Sequence, residues 1–161
     1  MPGRPGRVVT LIPDGHESLD RDTSPGSARC WGTAYEVPSG DPDGVLAGLD
    51  HRERGGYDRV EIEITLVDLP LRSGVPRASE PRNVAGVVYI AGPENENYLG
   101  AASTRAIARQ IAAASGPSGA NPEYVFELAR SLRAIGAEDA HLFEVEAEVS
   151  RVLTEKPSRS R

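Results

Sequence analysis

The chain has 161 residues, 39% of them hydrophobic and 26% charged, and a formal net charge of -6. That size suits one globular domain able to bury a full core without disulfides or metal. Apolar runs of only a few residues exclude a spanning helix of about 20, and the acidic excess speaks against nucleic-acid partners as the missing span speaks against a membrane one.

Behind Arg4 and Arg7 stand only Val8 to Ile12, too short an apolar core for an export signal. Cys30 is the single cysteine, so internal disulfides are impossible and a cytosolic setting is expected. Gly6 to Ile12 reads as a first strand, rich in β-branched residues. Pro13 to Ala28 is a loop of Gly, Pro, Ser and Asp. Arg29 to Val37 reads as a second strand, with Cys30 beside Trp31 expected in packing. Asp41-Pro42 opens a short helix, since Asp accepts from orphan N–H groups and Pro is pre-set for the first turn; Val45, Leu46 and Leu49 form its apolar face. Gly55-Gly56 breaks the chain. Tyr57 to Val67 alternates, with Val60, Ile62, Ile64 and Leu66 opposite Arg59, Glu61, Glu63 and Thr65, the pattern of a half-buried strand. After a Pro/Gly/Ser/Arg loop over Leu69 to Pro81, Asn83 to Ala91 is a fourth strand.

The second half is helical. Ser103 or Thr104 caps a helix with Ile107, Ala108 and Ile111, which stops near Gly116-Pro117. Asn121-Pro122-Glu123 reads as a cap and first turn, followed by a stripe of Val125, Leu128, Leu132 and Ile135 and a stop at Gly136. A last helix from about Glu138 places Leu142, Val145, Val149 and Val152 on one face. Strands followed by helices give an α+β fold, a small mixed sheet or barrel with flanking helices. It is expected as one domain over 1–155, with a disordered tail at 156–161.

Few chemical constellations are present. His16, His51 and His141 are spaced too far apart for a local metal site, and no Walker loop, dinucleotide fingerprint or nucleophile elbow occurs. The segment Leu49-Asp50-His51-Arg52-Glu53-Arg54-Gly55-Gly56-Tyr57 stands out. Its paired glycines permit a sharp turn able to aim a carboxylate inward; taken alone, a charged turn of this kind reads as a solvated surface loop, with Glu53 paired to Arg52 or Arg54.

That segment resembles the signature of the ChaC-type γ-glutamylcyclotransferases, and others match in the same order. Pro5 to Leu11 resembles the family's "PGRVVTL" strand, and Trp31-Gly32-Thr33-Ala34-Tyr35 its "WGvAY". Tyr98-Leu99-Gly100 after Asn97 resembles "NpdYLGp". Ile107 to Ile111, Gly116 to Gly119 and Asn121 to Leu128 resemble "IAeqI…GpSGxNxEYlfeL", and Asp139 to Leu142 resembles "DeHL". The resemblance covers about residues 2–152. Family members carry an upstream strand and loop reading "FGYGSL"; the 161 residues contain no such segment, so the expectation is an N-terminally truncated domain lacking that first strand.

The resemblance implies cleavage of glutathione to 5-oxoproline and cysteinylglycine, with no metal or other cofactor. The substrate's α-amine attacks its own γ-carbonyl. Nucleophile and electrophile share one molecule, so holding a folded conformer supplies much of the rate. A base must deprotonate the α-ammonium and an acid must protonate the leaving amine, and one carboxylate serves both in turn. The matching carboxylate is Glu53. Arg7, Tyr57 and Tyr98 are candidate substrate-binding residues, each explicable instead by solvation or packing. The family's oxyanion cradle is assigned to the YGSL loop, so little turnover is expected of the 161 residues themselves. The alternative is a catalytically impaired module that binds γ-glutamyl compounds weakly or offers a sheet edge to a partner. No residue pattern sets an oligomeric state.

Overall fold

The computed structural model describes residues 5–11, 30–67, 80–92 and 94–155. The elements are α1 (Pro42–Arg52), β1 (Asp58–Leu66), β2 (Arg82–Ile90), α2 (Thr104–Ala113), β3 (Ser115–Gly116), β4 (Gly119–Ala120), α3 (Asn121–Ala134) and α4 (Ala140–Thr154). Helices and antiparallel strands make the expected α+β fold, with α1 standing ahead of β1–β2, the short β3–β4 pair between α2 and α3, and every ladder among the described residues antiparallel. The chain divides into two compact units, one of Thr10–Gly100 and one combining Met1–Val9 with Ala101–Arg161. No helix among the described residues is long and apolar enough to cross a membrane. The loop expected over 13–28, most of the one over 69–81, and the tail at 156–161 lie outside the described residues.

In the Thr10–Gly100 unit, α1 starts as the Asp41-Pro42 pair requires. The Asp41 carboxylate accepts from the Gly44 amide at 2.9 Å, and Pro42 takes the first helical position. Leu46 and Leu49 are half-buried and Val45 is exposed, so the apolar face is narrower than its sequence suggests. β1 and β2 pair from Asp58↔Ile90 to Leu66↔Arg82. Opposed pairs Val60↔Val88 and Ile64↔Val84 share the apolar face, with Arg59↔Tyr89 and Thr65↔Asn83 on the other. Among the described residues of this unit only Ala91 is buried, and the Thr10 hydroxyl donates to its carbonyl at 3.1 Å.

Two expected strands are not strands. Residues 5–11 and 30–38 carry no ladder. A strand exists through its pairing, and the first segment satisfies its backbone differently. The Arg7 N–H donates to Asn121 Oδ1 at 2.7 Å, Asn121 Nδ2 donates to the Arg7 carbonyl at 2.8 Å, and the Val9 N–H donates to the Tyr124 hydroxyl at 3.2 Å. Side chains of α3 thus take the place of a neighbouring strand. Residues 30–38 form no ladder with any described residue, and Cys30, expected in packing, is exposed, as is Tyr35.

The helical unit holds the core: Ala108 and Ile111 from α2, Val125, Ala129 and Leu132 from α3, Ala137, and Leu142, Val145 and Val149 from α4. Ser103 is the cap of α2, accepting from the Ala106 amide at 3.3 Å, and Asp139 caps α4 through the Leu142 amide at 2.9 Å. The connector after α2 is a tight β3–β4 hairpin around Pro117-Ser118. Asn121 does not cap α3. Ala120 holds that position without a side-chain bond, because the Asn121 amide is committed to Arg7. At the other end Gly136, with φ 71°, permits a Schellman closure: its N–H donates to the Arg133 carbonyl at 3.2 Å and the Ala137 N–H to Leu132 at 3.0 Å.

Candidate active site

Glu53 follows the last residue of α1 and closes the helix, its N–H donating to the Leu49 carbonyl at 3.0 Å. A four-residue turn then delivers Tyr57, whose N–H returns to the Glu53 carbonyl at 3.3 Å. Gly56 has φ 89°, a left-handed conformation that a side chain strains against, which is why this turn needs glycine. The sequence thus places a carboxylate and an aromatic residue at the two ends of one turn, between a helix and the best-formed strand.

The Glu53 side chain is 23% exposed, and its Oε1 accepts from Arg52 Nε at 2.8 Å. The ion pair considered from the sequence therefore exists, with Arg52 as the partner. Arg52 is 72% exposed, and a pair that wet contributes little. Glu53 retains access to solvent and acceptor capacity for a second cation or N–H donor.

Two attachments hold this corner. One residue turn back, Asp50 receives Arg59 Nη1 of β1 at 2.9 Å and the Tyr89 hydroxyl of β2 at 2.5 Å, tying the end of α1 to both strands. Partial burial, then the Asp50 carboxylate, hold the Tyr89 phenol above its ordinary range, with Arg59 pulling the other way. On the far side, Asn95 Nδ2 donates to the carbonyls of Gly55 at 3.2 Å and Gly56 at 2.7 Å. Asn95 opens the turn that ends at Tyr98, whose N–H donates to the Asn95 carbonyl at 2.8 Å. The turns bearing Glu53, Tyr57 and Tyr98 are therefore joined through one amide, and both tyrosines are half-buried.

Arg7 belongs to the other compact unit. Its Nε–H donates to Gln110 Oε1 at 2.8 Å, while Gln110 Nε2 donates to the Pro5 carbonyl at 3.0 Å, so α2 holds the segment as α3 does. A shallow depression over β1 and β2 is lined by Glu61, Ile62, Glu63 and Ala85 and contains none of these candidates. From the sequence, Asp50 stands within the 49–57 segment with no role assigned to it, and Asn95 is not singled out. For Asn95 the local signal was an Asn two residues before another amide it can cap; its Oδ1 accepts from the Asn97 N–H at 2.8 Å.

Comparison with known proteins gives a consistent result. The chain is 40% identical over 147 residues to glutathione-specific γ-glutamylcyclotransferase 1 of Danio rerio, covering 89% of this chain and 64% of that protein. It is 36% identical over 158 residues to γ-glutamylcyclotransferase 2-3 of Arabidopsis thaliana, covering 96% and 70%. The chain thus spans under two thirds of the zebrafish relative's length. A crystal structure of a yeast γ-glutamyl cyclotransferase specific to glutathione superposes with TM-score 0.72 at 25% identity, over 94% of this chain and 80% of that one. The fold is accordingly γ-glutamylcyclotransferase-like. With the family model for ChaC-like proteins matching residues 1–152, the chain belongs to the ChaC-like family.

Proposed function

We propose that the protein is a γ-glutamylcyclotransferase that cleaves glutathione to 5-oxoproline and cysteinylglycine. The observation that carries this reading is family membership; the resemblance of residues 49–57 to the family signature implies Glu53, a solvent-accessible carboxylate, as the acid–base residue. Glu53 accepts a proton from the α-ammonium, freeing the amine to attack the γ-carbonyl. It then returns that proton to the departing cysteinyl nitrogen as the C–N bond breaks. Tyr57 and Tyr98 are proposed to bind the substrate from adjoining turns. Arg7 is proposed, from its place in the matching motif, to meet the substrate's anionic end. A lone cysteine supports a cytosolic setting.

A second reading is the binding of γ-glutamyl compounds with impaired turnover. One experiment separates the two: 5-oxoproline release from glutathione, with calorimetric titration of glutathione alongside. Product release establishes the enzyme. Binding without product establishes the second reading, and neither signal overturns both.

A further inference from the structure

Asn95 uses its polar groups to join two turns. Both of its bonds through Nδ2 go to consecutive carbonyls, those of Gly55 and Gly56. Its Oδ1 accepts from Asn97, its N–H donates to Gly92 at 3.0 Å, and its carbonyl accepts from Tyr98. The fit is close: a Cβ added to Gly56 would stand 2.5 Å from Asn95 Nδ2. Glycine is therefore needed at position 56 twice, for its positive φ and for the approach of this amide. The turn closes on itself through the Glu53 N–H to Leu49 and the Tyr57 N–H to Glu53, and the Asn95 amide adds bonds that reach it from outside.

We propose that Asn95 is a positioning residue: its side-chain amide clamps the Gly55-Gly56 turn and so fixes Glu53 relative to the turn bearing Tyr98. The inference rests on the proposed role of Glu53. Acid–base transfer demands a carboxylate held within hydrogen-bond reach of the moving proton, and a misplacement of about 1 Å costs on the order of a hundredfold in rate. A residue that sets only this placement changes kcat and leaves substrate affinity nearly alone.

The test compares Asn95→Asp, Asn95→Ala and Gly56→Ala with the unaltered chain. Asp keeps the acceptor for Asn97 but has no hydrogen to give Gly55 or Gly56. Ala loses both functions without adding charge. The first readout is amide exchange at Tyr57, whose N–H closes the turn, followed by NMR; it needs no turnover. Expected is exchange about tenfold faster in both Asn95 variants, with the β1 amides unchanged. The second readout is the kinetics of 5-oxoproline release, where kcat is expected to fall roughly tenfold to a hundredfold with KM held within about threefold. Gly56→Ala is expected to reproduce the loss and to be non-additive with Asn95→Asp. Unchanged Tyr57 exchange overturns the clamp whatever the activity. A loss confined to Asn95→Asp also overturns it, because the added charge is then the cause. A chain that releases no 5-oxoproline sinks the proposed activity, and the clamp is then decided on Tyr57 alone.

Discussion

At the scale of single residues, Glu53 and Asp50 are two carboxylates three positions apart with opposite situations. Asp50 is engaged on both oxygens by Arg59 and Tyr89, whereas Glu53 is engaged on one, by an exposed arginine. Among the described residues, Glu53 keeps one carboxylate oxygen without a partner, and that oxygen is the one to offer a substrate. Glu53→Gln preserves size and hydrogen bonding but cannot take the α-ammonium proton. It is expected to lower 5-oxoproline release by about 10²–10⁴-fold with an unchanged circular dichroism spectrum. Retention of more than about a tenth of the rate, outside that range, removes Glu53 from the acid–base role. Asp58→Asn is the matching control, since Asp58 only begins β1. Asp50→Asn is not an inert control, because it loosens the end of α1 from both strands. Glu53 was legible in the sequence through the glycines beside it. Asp50 was not, because its partners are nine and 39 residues away and pattern over a short window does not see them.

At the scale of elements, α3 and α4 are joined on their wet side by Arg133 and Glu146. Arg133 Nη1 donates to Glu146 Oε1 at 2.9 Å and Nη2 to Oε2, while the guanidinium lies 4.5 Å from the Phe143 ring centre. The Arg133 hydrogen bonds hold the Glu146 carboxyl below the usual carboxylate range, against the opposing effect of burial. A carboxyl lowered in the folded state stabilises it above the unfolded value of about 4.3, and that contribution disappears as pH falls through the lowered folded value. Glu146→Gln is therefore expected to lower the urea midpoint at neutral pH, with the gap to the unaltered chain closing on acidification. A gap independent of pH would show that the pair acts through packing and not through charge. Helix ends were readable in advance at Asp41, Ser103 and Gly136, because caps depend on residues within one turn. The segment at 6–12 was misread for the converse reason. Its β-branched composition reports a liking for extended backbone, but the partner that satisfies that backbone is an asparagine on a distant helix.

For the whole molecule, burial is uneven. Nearly every buried apolar residue described belongs to α2, α3, α4 and the Ala137 turn, and β1 and β2 form a two-stranded sheet. A sheet of two strands is marginal by itself, so the slowest amide exchange is expected in α3 and α4, with β1 and β2 exchanging sooner. Equal protection across both would show that the sheet has support beyond the described residues. Val149 is fully buried among the helices. Val149→Ala removes two methyl groups there and is expected to cost roughly 2–3 kcal/mol by chemical denaturation, with a similar shift from circular dichroism and fluorescence.

The pairing of Arg7 with Asn121 has a consequence for the time at which this protein can form. The two residues are 114 positions apart. At a synthesis rate of roughly 5–20 residues per second, the segment bearing Arg7 is made about 6 to 23 seconds before Asn121 exists to receive it. Val8 and Val9 spend that interval without α3, and they remain more than half exposed in the folded chain. A contact closing so long a loop comes after the helices have packed. Asn121→Ala should then speed unfolding while leaving the refolding rate nearly untouched in a stopped-flow series over denaturant. A slowed refolding arm would place this contact in the nucleus instead.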